Sequence, residues 1–424
     1  MPLGCEFTNR WNLAAGREVA AHNLISEITR DLQVFRQDLF DFGQLFLRVS
    51  YATGQCTISR SMPSRAIAIA AGGGGDVVTA SLLAAKLRHQ FDVVAIMSYS
   101  WDRLIVDPTP GPRSRCDFNG LTVRHELVAE VTASSRLRGP GRSTLPLLVP
   151  YLDRPLVLMD PADGATGLAD QIRAAAQVFD ASTLVVVDVG GDILAEGHED
   201  GLRSPLADSL ALAGAAQTRM PVHLLVAGVG LDGELASPEL ATLLQRHGSA
   251  TVAELNADDA SAVAELWRWH PSEANGLVCV AAEGWRGRVE TQRGALIDLT
   301  NDATAVYEVD AASVSARSLA ADLSDTQSLD QAEQRIRRRR GYTDIDTERD
   351  RLTARPSTYT PPTAATVGEI DRYTHGAAAR GVHALTIRRV IELAGAGGAD
   401  GGAAIRDLLG HDRPHNMRPP LYLT

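Results

Sequence analysis

The sequence has few cysteines, few aromatic residues and no long apolar run. Its four cysteines, Cys5, Cys56, Cys116 and Cys279, lie far apart without a C-x-x-C pair, so neither a disulfide framework nor a zinc site is signalled. No apolar run approaches the roughly 18 residues that span a bilayer, and the N-terminus lacks the apolar segment of a signal peptide. We therefore expect a cytoplasmic protein that does not enter the membrane.

An excess of basic residues is also absent. The 424 residues include 41 lysines and arginines against 52 aspartates and glutamates, for a formal net charge of −11. A protein that wraps nucleic acid needs a basic face, so this balance argues against nucleic acid as a partner. The arginine run in RIRRRRGYTDID is followed by acids and is typical of a solvated helix face, although Arg340, Tyr342 or Asp344 could fold over a ligand as a lid.

What the sequence does contain, from residue 62 onward, is an alternation of apolar strands and helices. The strand-like runs are AIAIA, DVVAIMSY, PLVLMD, TLVVVD and PVHLLVA, and segments with helical periodicity lie between them. Apolar strands without polar alternation are typical of a parallel sheet that is covered on both faces. The predicted fold is therefore α/β, with a doubly wound, Rossmann-like parallel sheet.

Changes in composition divide the chain into four predicted segments. Residues 1–61 differ in texture from the rest and form an N-terminal extension, which is an accessory arm or the product of a mis-chosen translation start, because Met62 directly precedes the first clear strand. The Rossmann-like ligand-binding domain spans residues 62–322. A charged and proline-rich connector over 323–362 leads to a small helical C-terminal region over 363–424.

Three glycine-rich loops follow predicted strands: AGGGGD (71–76), DVGGD (188–192) and AGVGLDGE (227–234). In an open parallel sheet the ligand crevice lies beyond the carboxyl ends of the strands, so we expect these loops to meet at one edge. Glycines let backbone N–H groups turn inward, and the N-terminus of a following helix favours an anion. The alternative is three tight turns with aspartate helix caps.

The expected ligand is a nucleotide or a phosphorylated sugar, bound through its phosphate group. Arginines of the SWDRLIVDPTPGPRSR loop, after the second strand, can grip the same anion bidentately. The predicted ligand-binding residues are Gly72, Gly73, Gly74, Gly75, Asp76, Gly190, Gly191, Gly228, Gly230, Arg103 and Arg113. No Gly-Lys-Ser/Thr follows GGGGD, so the loop is not a P-loop, and Val77 replaces the third glycine of G-x-G-x-x-G, which disfavours hydride transfer with a dinucleotide.

The three loops also contain carboxylate side chains. Together Asp76, Asp188, Asp192, Asp232 and Glu234 would converge at one edge, where like charges repel unless a cation intervenes. We predict Mg²⁺ bound by Asp188 and Asp192 and bridging to substrate phosphates. The predicted catalytic residues are Asp188, Asp232, Glu234 and His198, and the stretch after DVGGD offers Glu199, Ser204 and Asp208 as further candidates. The alternative is that these side chains only cap helices or face water.

Four motifs occur in the order GGGGDV, DPTPGPRS, DVGGDIL followed by HEDGLRSPLAD, and VAGVGLDGEL. This series resembles a bacterial and archaeal family known as a domain of unknown function. The resemblance covers about residues 64–350, and GVHALTIRRVIE with the closing HNMRPPL is similar to the family's C-terminal end. Residues 1–61 depart from the family's pattern. The resemblance implies no reaction, because the family's name carries none.

Two classes of function follow from these loops. The leading hypothesis is an enzyme that binds a nucleotide or a phosphorylated sugar with Mg²⁺ and transfers or cleaves a phosphoryl or glycosyl group. Residues 72–75 would hold the anion, and Asp232 or Glu234 would act as the base. The alternative is a non-catalytic nucleotide sensor or partner-binding protein, in which the same loops bind the ligand. The chain could form a homo-oligomer in either case.

Overall fold

The computed structural model describes residues 48–52, 55–59, 62–354 and 361–424. The chain divides into two compact units, Met1–Pro63 and Ser64–Thr424. In the first unit, strands β1 (Arg48–Ala52) and β2 (Gln55–Ser59) pair antiparallel. The rest of the predicted extension over residues 1–61 lies outside the described residues.

The second unit contains both strands and helices. Its strands are β3 (Ser64–Ala70), β4 (Phe91–Ser98), β5 (Phe118–Asn119), β6 (Thr122–His125), β7 (Val128–Val131), β8 (Arg136–Leu137), β9 (Leu156–Leu158), β10 (Thr183–Val189), β11 (Val222–Ala227), β12 (Ala250–Glu254), β13 (Gly287–Glu290), β14 (Leu296–Leu299), β15 (Ala305–Val309), β16 (Ala384–Thr386), β17 (Met417–Arg418) and β18 (Leu421–Leu423). Its α-helices are α1 (Gly74–Lys86), α2 (Arg103–Val106), α3 (Leu145–Leu148), α4 (Gly164–Val178), α5 (Leu206–Gln217), α6 (Ser237–Arg246), α7 (Ala257–Ser261), α8 (Glu273–Ala282), α9 (Ala311–Arg317), α10 (Ala320–Leu323), α11 (Leu329–Arg340), α12 (Asp344–Ala354), α13 (Ala364–Ala379), α14 (Ile387–Leu393) and α15 (Ala399–Asp412). Among the helices that the structure describes, none is long and apolar enough to cross a bilayer.

A mostly parallel sheet forms the centre of this unit. Within the described residues it has nine strands, in the order β12-β15-β11-β10-β3-β4-β9-β7-β6. The middle five strands are parallel, whereas the pairings at both edges are antiparallel. Numbered along the chain, the parallel strands lie in the order 3-2-1-4-5, counted from β9 to β11. The prediction of an α/β protein with a large, mostly parallel sheet is confirmed.

Apolar side chains cover both faces of the sheet. Ile67 of β3 packs in one core with Leu168 of α4 and Leu210 of α5. The next residue, Ala68, points to the other face and packs in a second core with Leu83 of α1. Each fully buried leucine or isoleucine stabilises the fold by about 1.5–3 kcal/mol. The two cores fix β3 and β10 rigidly, and hence the loops that follow them.

The C-terminal part differs in detail from its predicted organisation. Residues predicted as a small helical region also provide strands β16, β17 and β18, and β16 pairs parallel with β13 in a second sheet. Much of the predicted connector is helical, in α11 and α12. The runs ALT and LYL are too short for periodicity to distinguish a strand from a loop. The second sheet therefore could not be anticipated from local pattern.

Candidate functional site

The three glycine-rich loops lie side by side at the carboxyl edge of the central sheet. The amide of Ala71 donates to the carbonyl of Val187 at 2.9 Å, which joins the first loop to β10. The second and third loops are joined by two bonds, from Gly190 N–H to the Ala227 carbonyl at 3.1 Å and from Gly230 N–H to the Gly190 carbonyl at 2.7 Å. The strand ends thus bring the first loop, which is more than 100 residues away in sequence, beside the second and third loops.

A cavity of about 610 Å³ opens at this edge. Its walls come from all three loops, from residues 101–105, from the start of α8, from α12 and from residues 388–397. The volume lies within the range of about 300–1,000 Å³ that is usual for small-molecule and cofactor sites. Since several distant segments build it, the cavity is the principal candidate site.

The glycine run lets site side chains approach the backbone. A Cβ atom on Gly72 would lie 2.9 Å from Asp76 Oδ2 and 3.1 Å from Asp208 Oδ1. A Cβ atom on Gly75 would lie 2.5 Å from Ser272 Oγ. Two carboxylates can therefore reach the first loop because its residues have no side chain. Negative charge beside Gly72 favours a cation there, and anion binding by these amides stays a prediction.

The glycines of the second and third loops shape turns next to the cavity. Five of the predicted glycines adopt positive φ angles: Gly73, Gly190, Gly191, Gly228 and Gly230. At Gly190, with φ near +133°, a Cβ atom would collide with Asp232 Oδ2. These five residues are not part of the cavity lining, whereas Gly72, Gly74 and Gly75 are. Their role is to position the neighbouring aspartates.

The first carboxylate trio consists of Asp76, Asp188 and Asp208. Asp188 belongs to β10, while Asp76 and Asp208 lie in the first turns of α1 and α5. All three are buried, and one oxygen atom of each lies within 4.8 Å of the others. Oδ1 of Asp188 and Oδ1 of Asp208 are buried without a hydrogen-bond partner among the described residues. Such atoms are rare in native proteins, so these two oxygens point to a ligand.

Neighbouring groups hold Asp76 in place. Its Oδ2 accepts from the Gly72 amide at 2.9 Å, and its Oδ1 accepts from Asn275 Nδ2 at 3.0 Å. The Asn275 side chain is fixed in turn by a bond from Thr79 Oγ1 at 2.5 Å. Asn275 was not predicted as a site residue, and Asp208 was predicted only as a further candidate in the stretch after DVGGD, not as a metal ligand. Asn275 is 199 residues from Asp76 with no local signal, and Asp208 stands in HEDGLRSPLAD beyond an irregular loop.

The second carboxylate trio consists of Asp192, Asp232 and Glu234, whose oxygens also lie within 4.8 Å of one another. Glu234 Oε2 accepts from the amides of Arg203 at 2.6 Å and Ser204 at 2.9 Å, and its Oε1 accepts from the Ser204 hydroxyl. Asp232 Oδ1 accepts from the Glu234 amide at 3.0 Å, but its Oδ2 is buried without a partner in the described part of the chain. Of the two predicted bases, Asp232 therefore offers the unengaged oxygen.

The two trios are electrostatically strained. Burial raises the pKa of Asp76 to about 6 and that of Asp232 to about 7. Burial and, after it, the charges of neighbouring carboxylates hold the pKa values of Asp188, Asp192 and Asp208 well above the usual range. A bound cation would favour the ionised forms. All donors are carboxylate oxygens, the ligands preferred by hard cations such as Mg²⁺.

The loop after β4 is fastened to α12 through Arg103. The guanidinium carbon of Arg103 lies 3.8 Å from the centroid of the Trp101 ring, and its nitrogens lie 3.4 Å from Asp344 Oδ2 and Glu348 Oε1. Trp101 Nε1 also donates to Glu348 at 3.1 Å. Arg103 has φ near +55°, a conformation that costs a non-glycine residue about 1–3 kcal/mol and that recurs at functional sites.

Two predicted site residues lie away from the cavity. Arg113 makes a bidentate pair with Asp107, with both distances 2.7 Å, and stiffens its own loop. His198 has a side chain that is 67% exposed. The buried Glu199 accepts from the Gly197 amide at 2.7 Å, which fixes the turn with His198 in solvent. The structure gives neither residue a contact with the candidate site.

Of the three predicted lid residues, Asp344 lines the cavity, whereas Arg340 and Tyr342 do not. Asp344 lines the cavity as the first residue of α12. Arg340 Nη2 and the Tyr342 hydroxyl instead donate to the carbonyl of Leu202, at 2.6 and 2.9 Å, and hold the end of α11 against the loop before α5. The acidic residues after the arginine run, rather than the run itself, thus reach the site.

Four further arginines line the cavity and were not predicted: Arg203, Arg293, Arg351 and Arg388. Nη2 of Arg203 donates to the carbonyls of Asp232 and Gly233 at 2.9 Å each. The other three come from the short turn after β13, from α12 and from α14, and we call them the arginine wall. Arg203 stands in HEDGLRSPLAD and Arg388 in GVHALTIRRVIE, but neither stretch assigns its arginine to the site, and Arg293 and Arg351 lie outside the motifs.

Comparison with known proteins adds one match. The model of the family described as "Protein of unknown function (DUF1152)" matches residues 67–352, a span that includes the three glycine-rich loops and both carboxylate trios. No curated protein and no solved structure matches the chain. The match covers more than half of the sequence and agrees with the span of the motifs that carried the resemblance.

Proposed function

The chain belongs to the DUF1152 family, whose function is unknown, and we propose from its site that it is an enzyme acting on a nucleotide or a phosphorylated sugar with the help of a divalent cation. The reaction is transfer or cleavage of a phosphoryl or glycosyl group. One observation carries the proposal. Asp188 and Asp208, each with a buried oxygen that has no partner among the described residues, line the same cavity as several arginines, so the cavity offers ligands for a cation beside groups that bind an anion.

The strand order supports a nucleotide-type ligand. The order 3-2-1-4-5 is that of the Rossmann fold, in which ligands bind where the order reverses, between the first and fourth strands. In this chain those strands are β3 and β10. Residues 71–76 follow β3 and residues 188–192 follow β10, so the candidate site occupies the reversal point. A doubly wound, Rossmann-like sheet is therefore part of the proposal.

The first carboxylate trio would hold the cation. One oxygen of each residue is near enough to the others to share one ion, and Asp188 and Asp208 each have a buried oxygen without a partner in the described chain. Mg²⁺ bound there would act as a Lewis acid on an oxygen of the substrate. Asn275 and the Gly72 amide keep Asp76 oriented toward this position. The predicted pair Asp188 and Asp192 is thus replaced in the proposal by Asp76, Asp188 and Asp208.

Asp232 is the proposed base. Its Oδ2 is unengaged among the described residues, and its pKa of about 7 suits proton exchange near neutral pH. The carboxylate takes the proton of the attacking hydroxyl or water as the new bond to phosphorus or to the anomeric carbon forms. The bond to the leaving oxygen breaks, and that oxygen keeps the electron pair. Arg203 and Arg103 line the cavity where they can balance the negative charge of the substrate.

Calorimetry with a panel of nucleotides and sugar phosphates, with Mg²⁺ and with EDTA, tests binding, and phosphorus NMR of the same mixtures tests turnover. We expect heat with at least one phosphorylated ligand in Mg²⁺, little heat in EDTA, and a product. Asp232→Asn should reduce turnover by at least about 100-fold, as for other general bases, without loss of binding. Asp200→Asn, an exposed aspartate in a nearby loop, is the matched control.

Three outcomes would decide against parts of the proposal. The absence of heat with every phosphorylated ligand would reject the substrate class. Equal binding with Mg²⁺ and with EDTA would reject the cation. Binding that changes subunit association without any product would reject the enzyme and favour the nucleotide sensor instead.

A further inference from the structure

The arginine wall (Arg293, Arg351 and Arg388) forms a part of the cavity separate from the strand-end loops. Arg293 belongs to the turn between β13 and β14, Arg351 to α12 and Arg388 to α14. All three line the same cavity as the first carboxylate trio. The cavity therefore carries the trio's carboxylates at the carboxyl edge of the sheet, whereas segments later in the chain provide the wall's guanidinium groups together with the acids Glu273, Asp344, Glu348 and Glu392.

The guanidinium groups of the wall are poorly neutralised. Within the described chain, the Arg293 and Arg351 guanidinium groups have no hydrogen bond or ion pair with a protein group. Among the described residues Arg388 has one ion-pair partner, Glu273 at 3.8 Å, which is longer than a hydrogen bond, and the charge of Glu392 acts on it from farther away. Burial and then the charge of the other arginines lower the pKa of Arg293 to about 10. The wall is thus a place where positive charge is concentrated against its own repulsion.

The acids beside the wall are committed to other donors. Glu273 accepts from the Gln292 amide at 2.9 Å and from the Thr386 hydroxyl. Glu392 accepts from the backbone amide of Arg293 at 2.8 Å and from Arg389 Nη1 at 2.7 Å. These bonds order the backbone under the wall and leave its guanidinium groups available. A built anion site needs such support, because free arginine side chains lose conformational entropy on binding.

We infer that the arginine wall is a second anion subsite and that the substrate carries a diphosphate, with one phosphate at the cation-binding trio and the other at the wall. The inference rests on the proposed function and names the substrate class of the same site. A cation bound at the trio leaves the positive charge of the wall without a counter-charge. An anion bound at the wall leaves the negative charge of the trio without one. A ligand with two linked phosphates and one bound Mg²⁺ satisfies both at once. Arginine suits this task, because its planar fork binds phosphate oxygens bidentately.

Calorimetry in Mg²⁺ with a nucleoside monophosphate, the matching diphosphate, its sugar ester and inorganic pyrophosphate tests this inference. We expect the diphosphate compounds to bind at least about tenfold more tightly than the monophosphate, as one charged hydrogen bond predicts. R293Q and R351Q should each remove about tenfold of this preference and leave the affinity for the monophosphate unchanged. R268Q is the matched control, because the Arg268 side chain is 73% exposed and does not line the cavity.

The probes also separate the sources of the diphosphate. Tight binding of pyrophosphate alone would show that the two phosphates suffice, whereas binding of the nucleotide sugar alone would show that both ends are read; either result supports the subsite. Equal affinity for monophosphate and diphosphate, or unchanged affinities in R293Q and R351Q, would overturn the inference while Mg²⁺-dependent monophosphate binding preserved the proposed function. If no phosphorylated compound binds, the proposed function itself fails.

Discussion

Asp208→Asn should make the metal-free protein more stable at neutral pH and should abolish its response to Mg²⁺. Asp208 is buried beside two other aspartates, and its Oδ1 has no hydrogen bond to any described residue that the substitution could break. Burial, together with the charges of Asp188 and Asp76, raises its pKa well above the usual value. Asparagine has the same shape without the charge, so it removes the strain and keeps the packing.

The size of the effect follows from proton linkage. A carboxyl group whose pKa is raised in the folded state makes its full contribution to stability when the pH is below the unfolded pKa of about 3.8. This contribution is lost as the pH rises toward the folded pKa. Each unit by which the folded pKa exceeds 3.8 lowers the stability by about 1.36 kcal/mol at a pH above both values. We therefore expect Asp208→Asn to raise the free energy of unfolding at pH 7 by more than about 1 kcal/mol.

Urea denaturation in EDTA at pH 4, 5.5 and 7 measures the gain, which should be smallest at pH 4 because that pH lies close to the unfolded pKa of about 3.8. Mg²⁺ at 100 times its Kd should add about 2.7 kcal/mol to the wild type and much less to the variant. Exposed Asp200→Asn should behave as the wild type. A loss of stability at pH 7, or an undiminished Mg²⁺ response in Asp208→Asn, would refute the reasoning.

Two further substitutions test the support of the site. Gly72→Ala places a Cβ atom 2.9 Å from Asp76 Oδ2, so it should weaken Mg²⁺ binding by about 10–100-fold in titration calorimetry. Gly139→Ala is the control and should leave Mg²⁺ binding unchanged, because a Cβ atom there has nothing within 4 Å. Burial lowers the pKa of His270 to about 3, so its contribution is present above about pH 6.5 and is lost as the pH falls. The stability difference between wild type and His270→Gln should therefore shrink by about 2 kcal/mol from pH 7 to pH 5, and a constant difference would contradict this.

The part of the site that follows strands could be predicted from the sequence. The run TLVVVD announces a strand buried on both faces, and the first polar residue after such a run must lie at the carboxyl edge of the sheet. Asp188 and the glycine-rich loops were found in this way, because burial and strand direction are local properties. All three loops do meet at the edge where the strands end.

The part of the site that lies on other elements could be predicted only in part. Asp208 was a candidate because it follows DVGGD in the chain, but its approach to Asp76, like that of Asn275, depends on how α5 and α8 pack across the sheet. Hydrophobic periodicity shows which side of a helix is buried but not which end of it reaches the cavity. The arginine wall is still harder to predict from the sequence, since Arg351 lies in a charged stretch that is typical of a solvated surface.

The fold itself explains how so much strained charge can be kept at one edge. The apolar cores on both faces hold β3 and β10, and their alignment does not depend on the residues beyond the strand ends. The site costs stability, because its carboxylates raise one another's pKa and because Arg103 has a positive φ angle. A site of this kind persists only where the surrounding structure holds it in place. The same rigidity keeps the two carboxylate trios from moving apart to relieve their repulsion. Protonation of the carboxylates or binding of a cation can remove the strain, and the proposed function relies on the second of these.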